Sequence, residues 1–406
     1  MSAPFPRLLC CALLWLAPAA LPACGAPLES EVQFTSVVVA PLAAPRPVVG
    51  ADGRIHLAYE LSFVNETKLI ARIDAIAAID PASGAALAEW KGAALGSIFR
   101  INGGEPGVTL APSHSGYAFL DVALAAGAPI PKSFRHRITV TRFMQAPGDD
   151  HKTVPLDPKF KLPDSIAFEG ADVAVDDKKA VVIAPPLKGP RWVAFNGCCD
   201  QLTSHRGGVM AFNGKALITE RFAIDFMQLD QADRPFVGPL ADVASYPSFG
   251  VPVYAVADAT VVETSDGAPE ATPGAARAVT VDTAAGNHIV LDLGGGNFAL
   301  YAHLLTASVA VHPGDHIKTG DVIARLGSSG NSDAPHLHFH VMDGPSPLAS
   351  SGLPYEFTAF SGVGRIEPDD AFFTKGAAAA IDSGWFAGPH KDELPLNNEV
   401  VDFPGD

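Results

Sequence analysis

From about residue 28 to 180 the chain alternates apolar and polar positions over short runs, among them VQFTSVVVA, IHLAYELSFVN, ARIDAIAAID and HRITVTRFM. Successive side chains of a strand point to opposite faces, so this period of two predicts β-strands rather than helices. Clusters of Gly, Pro, Asp and Asn separate the runs, and together they predict an antiparallel β-sandwich over residues 28–182. The stretch PPLKGPRW at 185–192 reads as a linker. Short strands then resume as VPVYAVADATVVET, NHIVLDL, NFALYAHL, DVIARLG and HLHFHVM, with Gly-rich turns such as Leu293-Gly294-Gly295-Gly296-Asn297 between them, as hairpins require. These predict a second domain of antiparallel β-sheet over 190–360. Residues 361–406 show weak periodicity and form a C-terminal extension. The fold class expected is all-β, a sandwich followed by a sheet domain.

Composition narrows the setting. A chain of 406 residues with 48% apolar and 18% charged residues suits two folded domains and argues against disorder. The formal charge of −16 leaves no electrostatic footprint for nucleic acid. The first residues carry one cation, Arg7, then an apolar run over 8–20 and a small-residue segment, which is the layout of a secretory signal spanning 1–24. The ending Leu21-Pro22-Ala23-Cys24 also resembles a bacterial lipobox, so two outcomes stand open: a lipid anchor at Cys24, or ordinary cleavage near Ala23 with a soluble product. Either implies export to the periplasm or cell envelope. Cys10 and Cys11 would be lost with the signal, leaving the adjacent pair Cys198 and Cys199. These could form a vicinal disulfide, pair between molecules or stay reduced.

The histidines change the picture most. Of thirteen, eight fall between His205 and His340. His56, His114, His136 and His151 are scattered and lack ligand spacing. In Ala334-Pro335-His336-Leu337-His338-Phe339-His340-Val341 a strand would place His336, His338 and His340 on one face, with Leu337, Phe339 and Val341 entering the core. Tyr301-Ala302-His303-Leu304 ends another apparent strand. Arg221-Phe222-Ala223-Ile224-Asp225-Phe226 sets a carboxylate in an apolar run, where an unpaired charge is costly and a metal or hydrogen-bond network is expected. Ser204-His205-Arg206 follows the cysteine pair. A catalytic zinc site needs three protein ligands and one open position. No Gly-X-Ser-X-Gly elbow points to a serine hydrolase, and no Lys stands at a hairpin tip as a lipoyl or biotinyl carrier would need.

On these residues the chain resembles the lysostaphin/LytM-type zinc metallopeptidases. The segment GSSGNSDAPHLHFHV, Tyr301-Ala302-His303-Leu304, VPVYAVADATVV and HPGDHIKTGDVIARLG resemble successive elements of that family over roughly residues 190–350. The resemblance implies one catalytic Zn2+ with Asp225 and His338 as ligands, and His303 and His336 as non-ligand histidines of the active centre. In the common pattern a His precedes the ligand Asp by four residues, but Arg221 stands there; His205 is assigned as the first ligand instead. His340 also departs from the family, which often has Glu at that position, and is read as a group supporting a ligand or as a tolerated exposed residue. His288, His312 and His316 are read as non-ligands. The function implied is an exported endopeptidase acting on peptidoglycan or another peptide substrate. The alternative is a non-catalytic relative that binds the cell wall or activates a hydrolase.

Overall fold

The computed structural model describes residues 32–103, 106–199, 201–276 and 278–405, without the side chains of 149–151. The signal-like segment and Cys24 lie outside the described residues. The described chain is all-β, with short α-helices at Gly92–Ile98 and Asp370–Lys375 and three single 3-10 turns among the described residues. No helix among the described residues is long and apolar enough to cross a membrane.

The N-terminal part is built from two antiparallel sheets. One runs Val37–Pro41, Ile55–Asn65, Ser115–Leu124, Phe99–Ile101; the other contains Asp149–Val154, Ser133–Ala146, Ile70–Ile79 and Ala86–Lys91. The strand Ile55–Asn65 shows how alternation builds this part. Leu57, Tyr59, Leu61 and Phe63 share one face and enter a core with Ile73, Leu120, Val122, Ile138 and Val140. The opposite face carries His56, Ala58 and Glu60, and it too is buried. Ala58 joins the core of the second half, which includes Phe222, Ile224, Phe226, Leu337 and Phe339. Thr35–Asp406 thus pack as one compact unit, with a core that reaches from the sandwich into the sheet behind it.

The second half is organised on one long antiparallel sheet. Its path runs His316–Ile317, Ala259–Ser265, Asn287–Gly294, Asn297–Leu304, Leu337–Met342, Ile224–Gln228, Gly189–Phe195, Glu399–Phe403, Phe360–Ile366, Ile381–Asp382. The last three lie mostly in the weakly periodic C-terminal stretch, yet they continue the sheet that the histidine strands began. Between Gly189–Phe195 and Ile224–Gln228, which pair as neighbours, the chain detours through residues 196–223. This detour holds the bonded pair Cys198–Cys199, a turn at 204–207 and the hairpin Val209–Phe212/Lys215–Ile218.

At the junction of the halves, His56 lies between two carboxylates, Nδ1 at 2.7 Å from Asp121 and Nε2 at 3.1 Å from Asp52. Burial lowers its pKa, but the two carboxylates outweigh burial and raise it to about 9. His56, Asp121 and Cys199 also form a cluster of potential ligand atoms, but the Cys199 sulfur is taken up in its disulfide and is no thiolate. Because the folded state holds the His56 proton, this stabilisation is complete below pH 6.5 and is lost as pH rises through about 9. It amounts to about 3 kcal/mol at most. Melting of the wild type should therefore fall between pH 6 and 9.5 more steeply than that of His56→Gln. Equal slopes for the two proteins would show that the carboxylate pair does not hold the proton.

Candidate metal centre

The site forms where three neighbouring strands bring their polar positions to one face. Across the pair Ile224–Gln228/Leu337–Met342, Asp225 stands opposite His338; across Asn297–Leu304/Leu337–Met342, Ala302 stands opposite His338. Strand alternation puts His336, His338 and His340 on the face of Asp225, while Leu337, Phe339 and Val341 enter the core. His303 follows Ala302 and takes a left-handed backbone, φ 61°, which is costly for a non-glycine residue and concentrates at functional sites. Its N–H donates to the Ala285 carbonyl and its own carbonyl accepts from Gly327, so both sides of the residue are pinned. His205 arrives from the detour. Its turn is tied by Thr203 Oγ1 to the Asn196 carbonyl at 2.9 Å and by Arg206 to the carbonyls of Cys199 and Leu120.

The structure brings His205, Asp225 and His338 together, with ligand atoms within 4.8 Å of one another. His205 Nε2 lies 3.2 Å from Asp225 Oδ2, and His338 Nδ1 lies 2.9 Å from Asp225 Oδ1. His336 stands at the edge of this group, its Nε2 3.4 Å from Asp225 Oδ1, and the His303 ring centre is 4.8 Å from that of His336. His288 lies apart, bonded to Gly286 and Glu263. His312 is exposed beside Asp315, and His316 bonds Thr260. Asn196 was not singled out in the sequence; its amide donates to Asp225 Oδ2 at 2.8 Å and fixes the carboxylate plane. The only sequence signal for it is its place at the end of the strand that pairs with Asp225.

Hydrogen bonds settle which nitrogen each ring offers. Nδ1 of His205 meets the Ala223 carbonyl at 3.0 Å, Nδ1 of His303 the Ser329 carbonyl at 2.8 Å, and Nδ1 of His336 the Ala334 carbonyl at 2.7 Å. A carbonyl only accepts, so each Nδ1 carries a proton, which leaves Nε2 as the nitrogen of each ring free for another role. Metal-binding histidines are held by such outer hydrogen bonds. Burial raises the Asp225 pKa, but His205 and His336 pull it well below the carboxylate range. Burial lowers His205, but Asp225 overrides it and raises it to about 9. Burial and the neighbours His336 and His338 push His303 well below its ordinary value. A largely enclosed carboxylate held ionised among imidazoles is a place for positive charge, and two nitrogens with one carboxylate suit a divalent zinc ion.

Arg221, at the position where the family pattern places a histidine, turns away from the site. Its guanidinium grips Glu60 of the sandwich, Nε to Oε1 at 2.9 Å and Nη2 to Oε2 at 2.8 Å, and also meets the Gly352 carbonyl. Both members are buried. A cleft of ≈ 1430 Å³ opens over the site. Its walls come from both strands of the histidine pair and from Phe195, Met227, Phe236, Tyr246 and Phe373.

Comparison with known proteins bears on part of the second half. Residues 242–349 match the model of peptidase family M23. The matched stretch contains His303, His336 and His338; His205 and Asp225 precede it. Among solved structures, the chain is similar to the catalytic domain of the antimicrobial peptidase lysostaphin from Staphylococcus simulans, at 26% identity over 35% of this chain and 80% of that one, TM-score 0.21. It is also similar to the catalytic domain of the prophage-encoded M23 protein EnpA from Enterococcus faecalis, at 19% identity over 42% and 93%, TM-score 0.23. A third is the deep-sea M23 metalloprotease pseudoalterin, at 13% over 52% and 98%, TM-score 0.27. The match to peptidase family M23 over residues 242–349 agrees with the lysostaphin/LytM-type resemblance of the sequence.

Removing one member of a buried ion pair leaves the other charged and unpaired, at a cost of about 3–5 kcal/mol, whereas apolar replacement of both is often neutral. Glu60→Ala should therefore destabilise the protein by about 3–5 kcal/mol in denaturant unfolding. The double change Glu60→Leu with Arg221→Met should recover most of the loss. A single variant as stable as wild type would show that Arg221 finds water or another partner.

Proposed function

We propose that this protein is an exported zinc metalloendopeptidase that hydrolyses peptide bonds of bacterial peptidoglycan. The observation that carries the reading is the set His205 Nε2, Asp225 and His338 Nδ1 converging beside two further imidazoles, His303 and His336, whose Nδ1 atoms are held by backbone carbonyls. The family match supports peptide hydrolysis, and the signal-like residues 1–24 support export to the periplasm or envelope, where that polymer lies.

His205, Asp225 and His338 would hold the ion. When bound, zinc supplies Lewis acidity that polarises the scissile carbonyl and makes the attacking water a stronger acid. The rest falls to the chain. Nε2 of His303 or of His336 takes the proton of the attacking water, and the same pair returns a proton to the leaving amine. Both rings are held by backbone carbonyls, so neither must reorient before reaction. Ser332 Oγ, 3.3 Å from His336 Nδ1, adds a second restraint on that ring. No glutamate base is required. The walls of the cleft order an extended peptide across the three strands that carry Asp225, His303 and His338.

A non-catalytic wall-binding relative would need no complete ligand set, and the presence of both the ligand trio and the histidine pair favours the enzyme. Purified protein should contain one zinc per chain and release free amines from purified wall sacculi; a chelator should stop the release and added zinc restore it. His336→Ala should keep its zinc while turnover falls about 10²–10⁴-fold. Loss of zinc in that variant would place His336 among the ligands. Zinc-replete protein that leaves sacculi intact would favour the binding relative.

A further inference from the structure

His340 is an imidazole that neither the ligand trio nor the proton transfers use. It lies two residues beyond His338, so the two side chains share a face, and it stands opposite Leu300 on the neighbouring strand. That end of the face is apolar: Val290, Leu300, Ala302 and Met342 form a buried cluster. An aliphatic residue would fit there, yet a histidine 1% exposed occupies the position. Its Nε2 is buried and meets no partner among the described residues, which is a cost in stability that calls for a reason. Its Nδ1 has a partner, His338 Nε2, at 2.9 Å.

The reason lies in the strand. His205, His303 and His336 sit in or beside turns, where backbone carbonyls are free to accept from their outer nitrogens. His338 is mid-strand, in register with Asp225 on one side and Ala302 on the other, where neighbouring carbonyls serve the ladder. Its outer N–H must therefore be met by a side chain on its own face, and the residue two positions on is the one that reaches. Glu220 Oε1, 3.9 Å from His338 Nε2, is beyond hydrogen-bond reach.

We infer that His340 is a positioning residue that fixes the ring and tautomer of His338, so that Nδ1 faces Asp225 and the cation. The inference rests on the site being a metal centre. With Nδ1 of His338 given to a cation, the single ring proton is on Nε2 and donates to His340 Nδ1; His340 then carries its own proton on Nε2.

Three variants separate the acceptor from mere bulk. His340→Leu removes the acceptor and keeps an apolar fill, His340→Asn keeps an oxygen where Nδ1 stood, and His340→Gln moves its polar atoms to the Nε2 end. Zinc affinity is read by competition with a chromophoric chelator, and ligand geometry by the visible spectrum of the Co2+-substituted protein. His340→Leu should bind zinc about 10–100-fold more weakly and shift the Co2+ bands, with no loss of melting temperature in the metal-free protein. His340→Asn should recover the affinity to within a few-fold, and His340→Gln should resemble His340→Leu. Wild-type affinity in His340→Leu, or equal loss in His340→Asn, would overturn the inference while leaving the metal centre intact. Wild-type protein that fails to bind zinc would overturn the metal-centre reading and this inference with it.

Discussion

The Asp225 carboxylate, partly buried among imidazoles, is the constraint on which the second half of the protein is arranged. A lone buried carboxylate would be intolerable in an apolar sheet. It is kept by the Asn196 amide, by His205 and by His338, which reach it from three separate segments of the chain. Two of those contacts follow directly from strand pairing: Asp225 faces His338 across one ladder and Asn196 closes the strand on the other side. A slip of one residue in either ladder would turn the polar set into the core and Phe226, Leu337 or Phe339 toward the cleft. The apolar faces of these strands thus enforce the register that the site requires.

Much of this arrangement is legible in the amino-acid order alone. The spacing His336-X-His338-X-His340 defines one face of a strand by geometry, and a carboxylate in an apolar run announces a charged partner. The alternation in residues 28–182 marks the strands of the sandwich. It does not reveal the fate of the second face. His56, Glu60 and Asp121 are polar residues on alternate positions, which a period-two pattern assigns to solvent; in the fold the second half covers them and they pair with one another or with Arg221. Polarity distinguishes faces, but not water from a buried ion pair.

The C-terminal stretch illustrates a different limit. Its strands are short and interrupted by Gly and Pro, so their period is faint. Phe360–Ile366 and Glu399–Phe403 nevertheless extend the long sheet, because Gly189–Phe195 has its other edge free for pairing once Ile224–Gln228 has taken the first. Helix Asp370–Lys375 then brings Phe373 to the cleft wall. Edge complementarity of this kind depends on what the rest of the sheet leaves open, and no local window of sequence contains it.

In the proposed centre, His205 takes the place that the family pattern gives to position 221. The residue four before Asp225 is turned outward by Glu60, and the vacancy this leaves is reached by His205 from a detour whose turn is fastened to the sandwich through Arg206 and the Leu120 carbonyl. Both the displaced position and its replacement are therefore anchored on the same strand pair, Ile55–Asn65 and Ser115–Leu124. A detour of 28 residues, 196–223, could not by itself hold one imidazole within hydrogen-bond distance of a carboxylate against its own conformational freedom. The sandwich supplies the missing restraint, which makes it part of the foundation of the proposed metal centre rather than a module attached to it.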